Sequence, residues 1–274
     1  MPMSVLLISR GSMSGGQIIA QCLSHTAGFK CVTREDLLAS VNRHGEIATR
    51  VTQSIEKAAH QYGSFSELRR PYKILMRLAL LEYARQGNFA YFGYTGHLLV
   101  EGISHFVRVR LLAPQGLRIR TTRDRLHCSD EEARDYIREV DEERLRWARF
   151  MYGKDLRDPM LYDLCINVDR VSFSTVCTLL MRAVAESEFQ PTTESLADLE
   201  KLYLQAQIEA ALVLDSRTYC HELGATFRDD RIVLEGPYLD DPDRSLVLQV
   251  ASAVPGVPAI EYQPGYATSL RFFP

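Results

Sequence analysis

The chain has 274 residues, 46% hydrophobic and 24% charged, with a formal net charge of -3 and a pI near 6.2. That length suits one large domain or two unequal ones, with enough apolar residues for a real core. The near-neutral balance argues against a nucleic-acid partner or an anionic membrane surface.

The first element is expected at Val5–Ile8, which is apolar throughout, as strands buried on both faces are. It is too short for the core of a signal peptide, and no apolar run approaches the ~20 residues of a membrane span. A cytoplasmic protein is the expectation. The turn Gly11-Ser12-Met13-Ser14-Gly15-Gly16-Gln17 follows. Helical spacing over Gly15–Leu23 comes next, with Ile18, Ile19, Cys22 and Leu23 apolar. Residues 46–62 and 66–86 read as helices, the second with a capping box at Ser64-x-x-Glu67 and a stop at Gly87.

Phe89–Phe92 reads as a strand ended by Gly93, and Val107–Leu112 as another ended by Ala113-Pro114. Arg108 and Arg110 alternate with Val107 and Val109, which suits an edge or half-exposed strand. Ser129-x-x-Glu132 opens a capped helix through about Phe150, Tyr162–Asn167 is a fourth strand, and Ser172–Glu188 a further helix. Strands separated by helices predict an α/β fold, a three-layer αβα parallel sheet. In such sheets ligands bind beyond the carboxyl ends of the strands, where the Gly/Ser-rich turn would lie.

The character changes at Phe189–Glu194, which reads as a linker. The expected boundaries are 1–189 for the first domain, 190–195 for the linker and 196–274 for a small α+β domain. In the latter, a helix over Leu196–Leu214 precedes two alternating segments, Glu222–Phe227 and Arg231–Glu235. Arg228-Asp229-Asp230 between them signals a hairpin. A helix over 243–253, Pro255-Gly256 and an extended stretch follow, with a tail at 264–274 carrying Tyr266, Phe272 and Phe273. The six cysteines are scattered without a C-x-x-C pair, which predicts reduced thiols and no zinc site.

The turn at residues 11–17 carries the chemistry. Glycines let backbone N–H groups approach phosphate oxygens, and the helix that follows adds about half a positive charge. The bland alternative is a tight strand-to-helix turn. A Walker-type loop would hold a lysine and a metal-binding Ser/Thr; aligned on Ser14-Gly15, those positions are Gly16 and Ile18. Arg118, Arg120, Arg123 and Arg125 follow the third strand, and Arg138, Arg144, Arg146 and Arg149 lie on the next predicted helix. Such arginines can stabilise a transferring phosphoryl group, or simply pair with the interspersed acids on a solvated face. Asp141 and Arg144 share one helical face. His97 and His105 stand near no nucleophile or carboxylate at a suggestive spacing.

The run from Ile8 to Ala20, ISR-x(3)-SGG-x(2)-IA, resembles the start of the cytidylate-kinase-like family of P-loop proteins. Ala84–Asn88 with Gly93, Leu112-Ala113-Pro114 with Arg118-Ile119, and Glu131…Asp141-x-x-Arg144 continue the resemblance in order. So do Tyr152-Gly153…Asp158-Pro159…Tyr162-Asp163-Leu164…Asn167, and the whole covers about residues 4–188. The resemblance implies a nucleoside-monophosphate-kinase fold, with ATP over Arg10, Gly11, Ser12, Met13, Ser14, Gly15, Gly16 and Gln17. The acceptor would be a nucleoside monophosphate such as CMP. Arg118 and Arg144 would act on the transferring phosphate, and Arg10 would supply charge in place of the lysine. Departures fall at Met13, where the family has glycine, at Gln17-Ile18 for its Arg-Glu, and at Tyr94 for its arginine. Mg²⁺ thereby loses its usual hydroxyl, and no metal ligand is assigned.

The segment 199–263 resembles a BON domain, a bacterial α/β module often tied to envelope or lipid association. The resemblance rests on Gln207-Ile208…Leu212…Asp215, Asp229–Gly236 and Val250-Ala251…Val254-Pro255-Gly256-Val257. It implies a protein or lipid partner. Two readings stay open: an ATP-dependent nucleoside monophosphate kinase, or a nucleotide- or anion-binding regulatory protein without efficient turnover.

Overall fold

A computed structural model describes residues 4–57, 66–228 and 231–265. The chain divides into two compact units. The first comprises residues 1–37, 83–150 and 154–196; the second comprises 38–82, 151–153 and 197–274.

The first unit is built on a five-stranded parallel sheet: β1 (Val5–Arg10), β2 (Lys30–Thr33), β3 (Phe89–Gly93), β4 (Phe106–Leu112) and β5 (Leu164–Asn167), in the order β2-β3-β1-β4-β5. The parallel sheet expected from the sequence is thus present, flanked by helices. Its central strand β1 pairs Ile8 with Phe92 and with Val109. Residues 5–8 are all buried, as a strand covered on both faces requires.

Helices α1 (Gly16–Ala27) and α7 (Phe173–Ala185) pack on one face. Ile19 and Leu23 from α1 meet Val176, Leu180 and Val184 from α7 over Leu6, Ile8, Val107 and Val109. Helix α2 (Arg34–Asn42) follows β2 directly, α5 (Gln115–Leu126) follows β4, and α6 (Asp130–Tyr152) follows α5. The capping box opens α6 as expected: the Ser129 N–H donates to Glu132 Oε2 at 2.7 Å, and the Glu132 N–H donates to Ser129 Oγ at 3.3 Å.

In the second unit, α3 (Glu46–Lys57) and most of α4 (Ser66–Ala84) occur with most of α8 (Thr193–Leu214), and with β6 (Gly224–Arg228), β7 (Arg231–Gly236), α9 (Asp241–Ser252) and β8 (Ile260–Pro264). Strands β6 and β7 are antiparallel, and β8 adds parallel to β7. Ile208 and Leu212 pack with Leu223, Ile232, Leu234 and Val247 to form this unit's small core. Helix α8 starts at Thr193 because Thr192 Oγ1 accepts the Ser195 N–H at 3.1 Å and caps it. Ser64, the hairpin tip Asp229-Asp230 and the aromatic tail residues lie outside the described residues.

Two expectations are corrected. The cysteines are not all reduced: Cys22 of α1 and Cys177 of α7 form a disulfide across 155 positions. Facing helices bring the thiols together, which no local spacing could announce. Strand β4 is also not an edge strand, since it pairs with both β1 and β5. Its half-buried arginines are absorbed by partners instead. Arg110 Nη1 donates to Ser9 Oγ at 2.9 Å and its guanidinium lies over the Tyr162 ring, while Arg108 pairs with Asp163.

Candidate functional site: a phosphate-type loop lined by arginines

The turn after β1 lies at the carboxyl edge of the sheet's central strand. Two of its residues adopt left-handed backbone: Met13 at φ 55° and Gly15 at φ 81°. Glycine suits such positions, and a side chain there carries a steric cost. Met13 is the position at which the sequence departs from a glycine, so the loop keeps its shape at the expense of local strain. Gly15 is also crowded, because a Cβ there would lie 2.2 Å from the Phe173 ring of α7.

Gly15 is the N-cap of α1, and no side chain caps that helix. The Gly15 carbonyl accepts the N–H groups of Ile18 and Ile19. The first turn of α1 therefore presents backbone donors and the positive end of the helix dipole without an internal anion.

Arg10, the last residue of β1, runs along this turn. A Cβ on Gly16 would lie 2.4 Å from Arg10 Cδ, so glycine at 16 makes room for the arginine. Arg10 Nε is buried and has no hydrogen-bond partner among the described residues. Burial, and next the charge of Arg144, pull the Arg10 pKa below its ordinary value. Arg144, reaching in from α6, donates from Nη1 to the Arg10 carbonyl at 3.3 Å and stacks over the Tyr94 ring at 5.2 Å. Its pKa is lowered too, by burial above all. Two desolvated guanidiniums held together constitute an anion-seeking arrangement.

Arg118, on α5, grips the loop from the other side. Its Nε donates to the Ser12 carbonyl at 2.8 Å and its Nη2 to Ser12 Oγ at 2.6 Å. The same Nη2 lies 2.7 Å from Asp141 Oδ2. Asp141 Oδ1 in turn accepts from Ser12 Oγ at 3.2 Å and from the Ser12 N–H at 3.4 Å. Ser14 Oγ donates to the Gly11 carbonyl at 2.9 Å.

The structure therefore gathers Arg10, Gly11–Gln17, Arg118 and Arg144 in one place. Sequence reasoning missed Asp141 as a loop partner. The one-turn spacing to Arg144 signalled a shared face, but not that the face meets the loop. Tyr94 was noted only as a departure, and its ring is the platform under Arg144. His97 and His105 are buried. His97 leans on Tyr162 with ring centroids 4.7 Å apart, and burial pushes its pKa down to about 3. His105 Nδ1 bonds Ser195 Oγ at 2.8 Å.

A sequence profile described as the cytidylate kinase-like family matches residues 5–170. The chain belongs to that family. Its kinase-like unit carries the P-loop kinase-like α/β fold, with the loop and arginines just described lying within the matched span. Among solved structures, an uncharacterized protein from Eubacterium ventriosum is similar in fold, with a TM-score of 0.52 at 14% identity. That match covers 66% of this chain and 98% of the other. A shikimate kinase from Bacteroides thetaiotaomicron matches with a TM-score of 0.40 at 12% identity, covering 67% of this chain and 99% of the other. No curated protein matches the sequence.

The residues present fit a polyphosphate: backbone donors, an orphaned buried Nε and converging guanidiniums. They do not fit Mg²⁺ in the usual manner. Ile18, which the sequence alignment sets at the metal-binding hydroxyl's position, is 49% exposed and offers no oxygen.

Proposed function

We propose that the kinase-like unit binds the phosphates of ATP on the Gly11–Gln17 backbone and Arg10, and transfers a phosphoryl group to a nucleoside monophosphate such as CMP. The observation that carries this reading is the buried, unpartnered Arg10 Nε beside an uncapped helix N-terminus. Phosphoryl transfer asks a protein mainly for positioning and charge stabilisation. The loop amides and Arg10 hold the donor; Arg118 and Arg144 neutralise charge on the oxygens as the bond to the leaving phosphate breaks. The acceptor needs no general base when its attacking group is already a phosphate oxygen. Incubation with ATP and a nucleoside monophosphate panel, with ADP and product resolved by chromatography, tests the proposal. ADP formation that depends on one acceptor is the expected result; ADP at the ATP-only rate with every acceptor refutes transfer.

Ile18 and the left-handed Met13 favour a second reading, a nucleotide-binding regulatory protein without efficient turnover. In that case residues 196–274 act as a BON-like module that contacts a protein or lipid partner, with residues 190–195 as its linker to the kinase-like domain, 1–189. The α-β-β-α-β order of α8, β6, β7, α9 and β8 supports the BON-like reading.

A further inference from the structure

We propose, building on the reading of the loop as a phosphate site, that Arg118 takes the place of the metal and that the protein binds its nucleotide as the metal-free anion. A Mg²⁺ on a phosphate loop takes a hard oxygen from the protein as well as phosphate oxygens. Both hydroxyls of this loop are already hydrogen-bonded. Ser14 Oγ is fully buried and donates to the Gly11 carbonyl at 2.9 Å. Ser12 Oγ and Asp141 are the hydroxyl and the carboxylate that could share a cation, and they do share one. The Arg118 guanidinium lies 2.6 Å from Ser12 Oγ and 2.7 Å from Asp141 Oδ2. A divalent ion entering there would meet a fixed positive charge that cannot be deprotonated at ordinary pH.

The charge balance points the same way. Arg118, Arg125 and Arg144 act with Arg10, against Asp141 and Glu35. Guanidiniums outnumber carboxylates among the groups that act on Arg10 and Arg144. These charges are held by the fold before any ligand arrives, so they can neutralise a polyphosphate without an ion.

Calorimetric titration of the full chain with ATP, in EDTA and in excess Mg²⁺, tests the inference. The expected Kd in EDTA is tighter than that in Mg²⁺, or weaker by no more than threefold. Arg118→Ala is expected to weaken binding in EDTA at least tenfold. Arg118→Lys, which keeps the charge but cannot bridge Ser12 and Asp141 with a fork, should fall between. Binding that Mg²⁺ tightens by more than threefold in the wild type overturns the inference and leaves the phosphate site standing. Arg118 variants with unchanged affinity in EDTA overturn it too. No ATP binding under either condition removes the phosphate site itself, and the inference with it.

Discussion

Gly15→Ala isolates the physical demand that the loop places on its sequence. Gly15 sits at φ 81°, where an L side chain costs about 1–2 kcal/mol. The new Cβ would also lie 2.2 Å from Cε1 and Cζ of Phe173, and relieving such overpacking costs about 1–3 kcal/mol. The two together amount to roughly 2–5 kcal/mol. At about 2–4 °C per kcal/mol for a unit of this size, the melting temperature should fall by at least ~4 °C. Phe173→Ala removes the clash but not the backbone cost. In that background Gly15→Ala should therefore cost only the backbone share, about 1–2 kcal/mol. Thermal melts followed by circular dichroism on the four proteins give the coupling. A Gly15→Ala protein that melts within about 1 °C of wild type would refute the reasoning, since that is well inside the predicted shift. An equal cost in both backgrounds would refute the steric part alone.

Other consequences are equally direct. Met13→Gly should stabilise the protein by about 1 kcal/mol in the same melts, because it relieves a left-handed residue at φ 55°. Asp141→Asn removes the carboxylate that competes for Ser12 and Arg118, and should tighten ATP binding several-fold in a calorimetric titration; unchanged or weaker affinity contradicts that role. His97 is held neutral by burial, with its pKa pushed down to about 3. The unfolded chain takes up a proton near pH 6.5 that the folded chain refuses, so stability falls as the pH drops from about 6.5 towards 3. His97→Phe should flatten that slope in urea melts. Non-reducing peptide mapping should recover Cys22 linked to Cys177, and Cys22→Ser should lower stability by about 2–4 kcal/mol, with no change in either measurement counting against the bridge.

Much of the first unit was legible because two of its central strands hold continuous apolar runs. Val5–Ile8 and Phe89–Phe92 needed no tertiary information, and the Ser129/Glu132 box located the start of α6. Strand β2 was missed because it has four residues, lies at the sheet edge and buries only Val32. Helix α5 was missed because its twelve residues include four arginines and bury only Ile119 and Thr122. It depends on packing rather than on an apolar stripe. The order that puts β1 between β3 and β4, and the grouping of residues 38–82 with the C-terminal segment, come from long-range contacts that leave no local pattern. At the site, glycine spacing revealed the loop, charge chemistry offered eight arginines, and the family resemblance selected Arg118 and Arg144 among them. The engagement of Asp141 with Ser12 spans 129 positions and needed the fold.

The central claim is that Arg10 and the Gly11–Gln17 backbone cradle a nucleotide's phosphates. Titrating ATP into ¹⁵N-labelled protein, wild type and Arg10→Ala, and following the backbone amides tests it most directly. The account predicts saturable shifts concentrated on the amides of residues 11–17, sharply weakened in the variant. Amides 11–17 that stay in place up to millimolar ATP, or that shift equally in Arg10→Ala, would contradict it.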